Sequence, residues 1–221
     1  THAAAPVLDL HIKSADPVIG DRSFGTTPAE VIPLATAFID GLSRCGVSAI
    51  VKHIPGMGRV QSDSHDELPV ISTSINELSQ SDWIPFQVIS GTRWAMTAHV
   101  VIPEWDSLPI TTSTKAMQYI RETFGDWLII SDCLTMGAIA GTVTERVQNT
   151  LDAGVDLALF SNGSDEERRL AVEASGEPRV SRDDLNSLAP LSKAHVQRLL
   201  TKLNKVSRNQ DTIDPTWDRS S

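Results

Sequence analysis

The sequence predicts an α/β fold built on a parallel sheet, and two observations support this prediction. Five short apolar runs recur along the 221 residues, and each is followed by a segment with helical periodicity. Within the runs, apolar residues occupy consecutive positions, which is typical of strands buried on both faces. A regular alternation of such strands with helices produces a parallel sheet covered by helices.

The elements follow one another in a simple order. The first helix is the clearest, because Pro28 suits a first turn, residues 31–42 repeat apolar side chains three and four apart, and Gly46 stops the pattern. The predicted strands are 5–10, 47–54, 94–101, 127–131 and 155–161. The later predicted helices are 75–89, 114–124, 143–153 and 193–205, and the charged segment 165–178 is helical at its start.

Polar residues cluster at the ends of the five runs. They are Asp9, His53, His99, Asp132 and Asn162. A (β/α)8 TIM-type barrel builds its active site at the carboxyl ends of its strands, whereas an open sheet needs polar groups only beside its switch point. The pattern therefore favours the barrel. Because a full barrel has eight strands in about 250 residues, five strands predict a barrel that lacks its first strands in this sequence.

The predicted domain organisation is one barrel domain with a tail. Residues 1–206 form the N-terminally incomplete barrel, and residues 207–221 form a polar C-terminal tail with an isolated Trp217. An incomplete barrel exposes two unpaired sheet edges. We therefore expect the chain either to be inactive alone or to be completed by another chain, with self-association as one route.

Composition narrows the class of partner. The chain is 40% hydrophobic and 21% charged, with a formal net charge of −9 and no run of Lys or Arg, which argues against nucleic acid or an anionic membrane. A small molecule is the expected ligand. Cys45 and Cys133 lie far apart, which gives no disulfide framework and no zinc spacing and favours a reducing compartment. No apolar run approaches the roughly 18 residues of a membrane span, and no charged-then-apolar leader opens the chain.

Segment 51–65 contains most of the chemistry. Lys52 and His53 end an apolar run that breaks at Pro-Gly-x-Gly, and Asp63 and His65 follow in the next loop. Strands commonly deliver polar groups to an active-site loop in this way. The two glycines, Gly56 and Gly58, are expected to allow a sharp turn and to let the His65 loop move.

Three blocks of the sequence resemble glycoside hydrolase family 3. They are KHIPGMG at 52–58, DSH at 63–65 and SDCLTM at 131–136, with further matching blocks at 5–9, 19–25, 98–100 and 152–156. Within the family, the chain is most similar to the single-domain bacterial β-N-acetylglucosaminidases of cell-wall recycling. This resemblance implies removal of terminal non-reducing β-linked N-acetylglucosamine from muropeptide fragments, with retention, in the cytoplasm and without a cofactor.

The resemblance also implies the catalytic residues. A retaining glycosidase needs an ionised carboxylate beneath the anomeric carbon, and the third block places Asp132 there. By position alone, Asp132 could simply cap the next helix. In place of a second carboxyl group, the family pattern makes His65 the acid/base and Asp63 its orienting partner. An imidazole titrates near neutrality, and a nearby carboxylate can fix its tautomer.

Sugar contacts are implied for Arg22, Lys52 and His53, because charged donors at strand ends hold hydroxyl groups at fixed angles. The competing interpretation makes Arg22 an ion partner of Asp21 or Asp9 and makes His53 a core histidine. For His99, a core histidine and a functional one are equally compatible with the sequence, so no role is assigned to it.

Two other functions are compatible with the same residues. The first is a metal-dependent hydrolase on a barrel, with zinc ligands drawn from His53, Asp63, His65, His99 and Asp132. The second is an inactive sugar-binding relic, favoured by the missing strands and by Met57, which replaces the usual His of the family pattern. Both hydrolysis and phosphorolysis are open, because an imidazole acid/base tolerates attack by water or by phosphate.

Overall fold

The computed structural model describes residues 1–181 and Asp184. Its framework is a sheet of five parallel strands in the order β1-β2-β3-β4-β5. The strands are β1 (His2–Ala3), β2 (Ser48–Ile54), β3 (Trp94–Thr97), β4 (Leu128–Cys133) and β5 (Leu157–Leu159). Each strand pairs with the next one along the chain, so the described part of the chain contains no switch point.

Helices follow the strands. The α-helices are α1 (Pro28–Arg44), α2 (Ile75–Ser79), α3 (Ile84–Val88), α4 (Thr114–Phe124), α5 (Val143–Asp152) and α6 (Asp165–Ser175), with 3-10 turns at Gly20–Arg22 and Ile110–Thr112. The sequence sets several of the starts: Thr27, Thr142 and Ser164 each form a capping box with the glutamate three residues later. The predicted bounds of α1, α4 and α5 are confirmed to within two residues.

Both faces of the sheet are apolar, as the uninterrupted apolar runs predict. On one face, residues such as Ala49, Val51 and Ile129 join the main core with the helices. On the other face, Ile50, Trp94 and Met96 form a second cluster with Val180, against which partly buried leucine and isoleucine side chains of β4 and β5 pack. A parallel sheet with sequential strand order and two apolar faces is a half-barrel, which confirms the α/β prediction and leaves the full eight-stranded barrel a prediction.

The first predicted strand differs from the structure. Regular pairing covers only His2–Ala3, and the run 5–10 touches β2 through an isolated bridge between Val7 and Lys52. The Lys52 N–H donates to the Pro6 carbonyl oxygen at 3.1 Å and the Leu8 N–H donates to that of Lys52 at 2.6 Å, but Pro6 has no N–H with which to extend this pairing. The run therefore lies beside β2 without forming a continuous ladder.

The predicted helix 75–89 is two short helices. Pro85 cannot donate the backbone bond that a continuous helix would direct to Ser81, so α2 stops at Ser79 and a new helix begins at Ile84. The intervening turn is held by Arg59, whose guanidinium lies 2.8 Å from buried Asp82. The other strands are confirmed in place but are shorter or shifted at their ends, because irregular backbone begins after Thr97 and Leu159.

The remaining predictions about the C-terminal part concern residues 193–205 and 207–221, which lie outside the described residues. In the part of the chain that is described, no helix has the length and apolar character needed to cross a membrane.

Candidate active site

The carboxyl end of β2 is hydrogen-bonded to Asp9. The Asp9 carboxylate is buried, and its Oδ2 lies 2.6 Å from His53 Nδ1 and accepts the His53 backbone N–H at 3.1 Å. Its Oδ1 accepts the Met57 N–H at 2.8 Å. Asp9 thereby holds both the end of the strand and the loop that follows. The predicted strand-end position of His53 is confirmed, and its side chain is only 4% exposed.

Asp132 lies at the end of β4 with its two oxygens in different environments. Oδ1 accepts the Cys133 N–H at 2.7 Å, and Oδ2 lies 3.8 Å from His53 Nε2. The side chain is 19% exposed. One carboxylate oxygen is therefore fixed by the backbone, and the other lies beside His53 but beyond hydrogen-bond distance.

A buried network holds the backbone on both sides of the Asp132 side chain. The Asp132 N–H donates to Thr97 Oγ1 at 3.3 Å, the Thr97 and Thr111 hydroxyls are 2.9 Å apart, and Thr111 Oγ1 lies 2.8 Å from His99 Nδ1. His99 Nε2 lies 3.2 Å from the Cys133 carbonyl oxygen. Since that oxygen only accepts, Nε2 carries a proton, and in the neutral ring Nδ1 is an acceptor. The Thr111 hydroxyl, which also lies 3.3 Å from the Ala98 carbonyl oxygen, is the donor available to it.

His99 is thus fully buried with both ring nitrogens held by protein partners, which agrees with the core-histidine interpretation. Burial lowers the pKa of His99 below its ordinary value, against the opposing effect of the Asp132 charge. The neutral ring is the form that the network requires.

The loop that carries His65 is docked on the segment after β4. The Gly137 N–H donates to the His65 carbonyl oxygen at 2.9 Å, and the Ala138 N–H donates to that of Ser64 at 3.2 Å. Ser64 is buried, whereas the His65 side chain is 63% exposed. These bonds connect the predicted acid/base loop to the chain that follows Asp132.

Asp63 and His65 form a local pair. Asp63 Oδ1 lies 2.7 Å from His65 Nδ1 and accepts the His65 backbone N–H at 2.8 Å. Partial burial raises the pKa of Asp63, but the bonds from His65 and the nearby charge of Arg22 outweigh it and lower the pKa overall. An ionised Asp63 orients the ring so that Nε2 points away from it, free to exchange a proton.

Arg22 and Lys52 supply positive charge beside the carboxylates. The exposed Arg22 guanidinium donates to the Val18 carbonyl oxygen at 2.8 Å and, within residues 1–181, makes no salt bridge to Asp21 or Asp9. Burial and the Arg22 charge lower the pKa of Lys52, while Asp132 and Asp9 oppose that shift. The positive charge of Arg22 thus lowers the pKa of both Lys52 and Asp63.

Close backbone approach explains the glycine after Met57. A Cβ at Gly58 would lie 2.1 Å from the Leu10 carbonyl oxygen, so only glycine fits there. The Met57 side chain is 2% exposed and belongs to the main core. Met57 therefore packs in the core at the position where the family pattern has His.

The end of β4 also contacts the end of β5. The Ser161 hydroxyl donates to Cys133 Sγ at 2.9 Å. Burial raises the pKa of the Cys133 thiol, but hydrogen bonds with Ser161 and Thr135 lower it to about 7. Asn162, the fifth strand-end residue of the sequence pattern, is exposed.

The same residues can be tested as a metal centre. Across residues 1–181 and 184, no three His, Cys, Asp or Glu side chains are grouped so that they could hold a metal ion. Instead, His53 Nδ1 faces the Asp9 carboxylate, His99 Nδ1 faces the Thr111 hydroxyl, and Asp63 Oδ1 faces the His65 ring. A cavity of about 440 Å³ beside α5 and α6 is lined by none of the predicted site residues.

Three functional candidates were not assigned from the sequence. Asp9 and Thr111 lie far from their partners along the chain, and Thr97 is an ordinary strand residue. Thr97 and Asp132 are 35 residues apart, and Asp9 and His53 are 44 apart. For Asp9, the sequence offers two signals, its strand-end position and its place in the matching block 5–9.

Together, the half-barrel and the polar groups at the carboxyl ends of its strands define an α/β half-barrel protein with a carboxylate and imidazole site. Residues 1–187 match the model of the glycosyl hydrolase family 3 N-terminal domain, and the chain belongs to this family. A β-hexosaminidase from Tolumonas auensis is 44% identical over 165 residues, covering 72% of this chain and 49% of that relative. The chain thus spans about half the length of such a relative.

Solved structures agree in fold. A glycoside hydrolase family 3 β-N-acetylglucosaminidase from Paenibacillus sp. str. FPU-7 is 32% identical with a TM-score of 0.74, covering 100% of this chain and 42% of that one. NagZ from Neisseria gonorrhoeae, solved in complex with N-trifluoroacetyl-D-glucosamine, is 31% identical with a TM-score of 0.64, covering 86% and 60%.

Proposed function

We propose that this chain carries the catalytic centre of a retaining β-N-acetylhexosaminidase that removes terminal non-reducing β-linked N-acetylglucosamine. The observation that carries the proposal is the docking of the Asp63–His65 loop on the segment that follows Asp132. A carboxylate with one free oxygen and an oriented, exposed imidazole therefore belong to connected elements at the carboxyl ends of the strands. The names of the family relatives support the same reaction class.

In the first step, Asp132 Oδ2 attacks the anomeric carbon and the bond from that carbon to the leaving oxygen breaks. Because the Cys133 N–H holds Oδ1, the attacking oxygen has a fixed direction. The product is a glycosyl ester on Asp132.

His65 handles the proton in both steps. With Nδ1 bonded to the Asp63 carboxylate, Nε2–H of the protonated ring donates its proton to the leaving oxygen. In the second step, Nε2 takes a proton from water, whose oxygen attacks the anomeric carbon and releases Asp132. Two inversions give retention. A neutral imidazole also avoids a second negative charge beside the forming ester.

Arg22, Lys52 and His53 hold sugar hydroxyl groups in this proposal. Lys52 and His53 lie in the last residues of β2, and the Arg22 charge acts on Lys52 and on Asp63. N-acetylglucosamine from muropeptide fragments, handled in the cytoplasm during peptidoglycan recycling, is the proposed substrate, and no cofactor takes part. We further propose that additional strands, such as those of a second copy, close the half-barrel.

The test is release of nitrophenol from p-nitrophenyl β-N-acetylglucosaminide by the chain, by Asp132→Asn and by the matched control Asp156→Asn. Asp156 also bonds a backbone N–H, that of Ile129 at 2.7 Å, but it lies outside the site. We expect the Asp132 change to lower kcat by about 10⁴-fold or more and the control to retain turnover.

Further measurements separate the alternatives. Mass spectrometry of a quenched reaction should find N-acetylglucosamine esterified to the peptide that contains Asp132, and the first product should be the β-anomer. Turnover that is lost with a chelator would instead identify the metal-dependent hydrolase. Sugar binding by a folded chain without any product would identify the relic, and sugar 1-phosphate formed in phosphate buffer would replace hydrolysis with phosphorolysis.

A further inference from the structure

We propose that Asp9 is a positioning residue that fixes the proton of His53 on Nδ1 and thereby presents Nε2 to the substrate as a hydrogen-bond acceptor. The role assigned to the sugar hydroxyl rests on the proposed function, whereas the protonation of the ring does not. Neither residue type nor spacing in the sequence identifies Asp9, because its partner is 44 residues away.

The hydrogen bonds of Asp9 carry the inference. Its Oδ1 accepts the Met57 N–H, and its Oδ2 accepts the His53 N–H. A carboxyl group that accepts a backbone N–H at each oxygen is best satisfied as an ionised acceptor. His53 Nδ1, only 2.6 Å from Oδ2, must then be the donor. The ring proton is consequently held on the side facing away from the site.

The other ring nitrogen shows the effect of this arrangement. His53 Nε2 lies 3.8 Å from Asp132 Oδ2, beyond hydrogen-bond distance. If Nε2 carried the proton of a neutral ring, this N–H would point toward Asp132, the proposed nucleophile. It would then stabilise the lone pair of Asp132 Oδ2 in the ground state. With the proton on Nδ1, the Nε2 lone pair is available to a substrate hydroxyl, and Asp132 Oδ2 stays unbonded.

His99 provides an internal contrast. Its protein partners occupy both ring nitrogens, and the Cys133 carbonyl oxygen requires the proton on Nε2. The two histidines thus have opposite tautomers, each set by a partner from another element. Only the Asp9 partner leaves one nitrogen free for a ligand.

The direct test is the tautomer of His53 in the chain labelled with ¹⁵N-histidine. Long-range ¹H–¹⁵N correlation spectra near neutral pH distinguish a protonated from an unprotonated ring nitrogen, and His53→Gln assigns the signals. We expect a protonated Nδ1 and an unprotonated Nε2 for His53, with the reverse for His99. A predominantly Nε2-protonated His53 in the folded wild-type chain would overturn the proposal, and this measurement requires no variant to fold.

The variant Asp9→Ala tests whether Asp9 determines the tautomer of His53. Without the carboxylate, we expect His53 to shift toward the Nε2-protonated form that an unconstrained imidazole prefers. Turnover per folded molecule should fall roughly 10- to 100-fold, by analogy with the loss caused by removing a carboxylate that orients a metal-ligating histidine. The matched control is Asp156→Ala, which also deletes a carboxylate that bridges a backbone N–H and a basic side chain. It should leave both the tautomer and the turnover unchanged.

The two readouts separate this inference from the proposed function. The expected tautomers in a chain that hydrolyses no glycoside would overturn the proposed function and support the positioning by Asp9. Hydrolysis by a chain in which Asp9→Ala leaves the His53 tautomer unchanged would support the proposed function and overturn the positioning.

Discussion

Two parts of the site are built in contrasting ways. The floor is formed by Asp9, His53 and Asp132, and the loop is formed by residues 63–65. On the floor, His53 is 4% exposed and joins Asp9 and Asp132 across large sequence separations. In the loop, His65 is 63% exposed and bonds Asp63, only two residues away. The loop is joined to the rest of the described chain by backbone bonds from Gly137 and Ala138. Groups that must hold one geometry are therefore buried in a network, whereas the proposed proton carrier is exposed and locally held.

After the loss expected for Asp132→Asn on the floor, the next largest effect is expected in the loop. His65→Ala should lower kcat/KM by about 10²- to 10⁴-fold for a disaccharide substrate, because the leaving oxygen loses its acid. The loss should be smaller for a p-nitrophenyl glycoside, whose leaving group needs little protonation. Steady-state kinetics on the two substrates measure the difference.

The stability of His65→Ala toward denaturant shows whether its loss of activity reflects unfolding. Because the His65 side chain is largely exposed, its removal should leave the denaturant midpoint nearly unchanged. Asp66→Ala, an exposed change in the same loop, should retain turnover. An equal loss on both substrates would exclude His65 as the acid.

The second prediction changes where the loop docks. A Cβ at Gly137 would lie 2.6 Å from the Asp66 carbonyl oxygen and 2.8 Å from that of His65, so Gly137→Ala must displace the loop. A shift of about 1 Å in a catalytic group can cost about 10²-fold, and we expect a loss of turnover approaching that size. The measurement is kcat per folded molecule.

Gly41→Ala is the matched control for Gly137→Ala. Gly41 is in helix α1 and a Cβ there would meet no atom within 4 Å. The change should raise the free energy of unfolding by about 0.5–1 kcal/mol and leave turnover intact. If Gly137→Ala also retains full turnover, docking on the segment after β4 is not what positions the loop.

The sequence predicts several members of the site but not the bonds that hold them together. Lys52, His53 and Asp132 follow apolar runs, and a strand end is a local signal that a sequence displays directly. The docking of the loop and the bonds from Asp9 and Thr97 depend on which strands pair and in what register. Register is set by tertiary packing, so such bonds between distant residues become visible only in the structure.

The helices and strands also show where prediction from the sequence stops. The periodicity of α1, α4 and α5 is long and capped, and their predicted bounds agree closely with the structure. The errors fall at Pro6 and Pro85, where an apolar pattern continues but a backbone donor is missing. Apolar patterns record burial, whereas the continuity of a strand or helix also depends on each backbone N–H.

The smallest expected effect is on the pH dependence of stability, and it concerns the floor. Burial lowers the pKa of His99 below the ordinary 6.5, against the charge of Asp132. At a pH between the two values, the unfolded chain binds a proton that the folded chain does not. The free energy of unfolding should therefore be highest above about pH 6.5 and fall with decreasing pH, by up to about 1.4 kcal/mol per unit.

Urea unfolding across this pH range, on the wild type, His99→Gln and Thr111→Val, isolates the contribution of His99. Both variants remove a buried hydrogen bond and should lose about 1–3 kcal/mol at neutral pH. Only His99→Gln removes the titrating ring, so it should flatten the slope below pH 6.5, whereas Thr111→Val should retain it. His2, whose pKa is also lowered by burial, contributes a residual slope to all three chains. A full wild-type slope in His99→Gln would mean that His99 is already protonated in the folded chain. The bond to the Cys133 carbonyl oxygen is compatible with a protonated ring, but an Nδ1 that accepts from Thr111 is not.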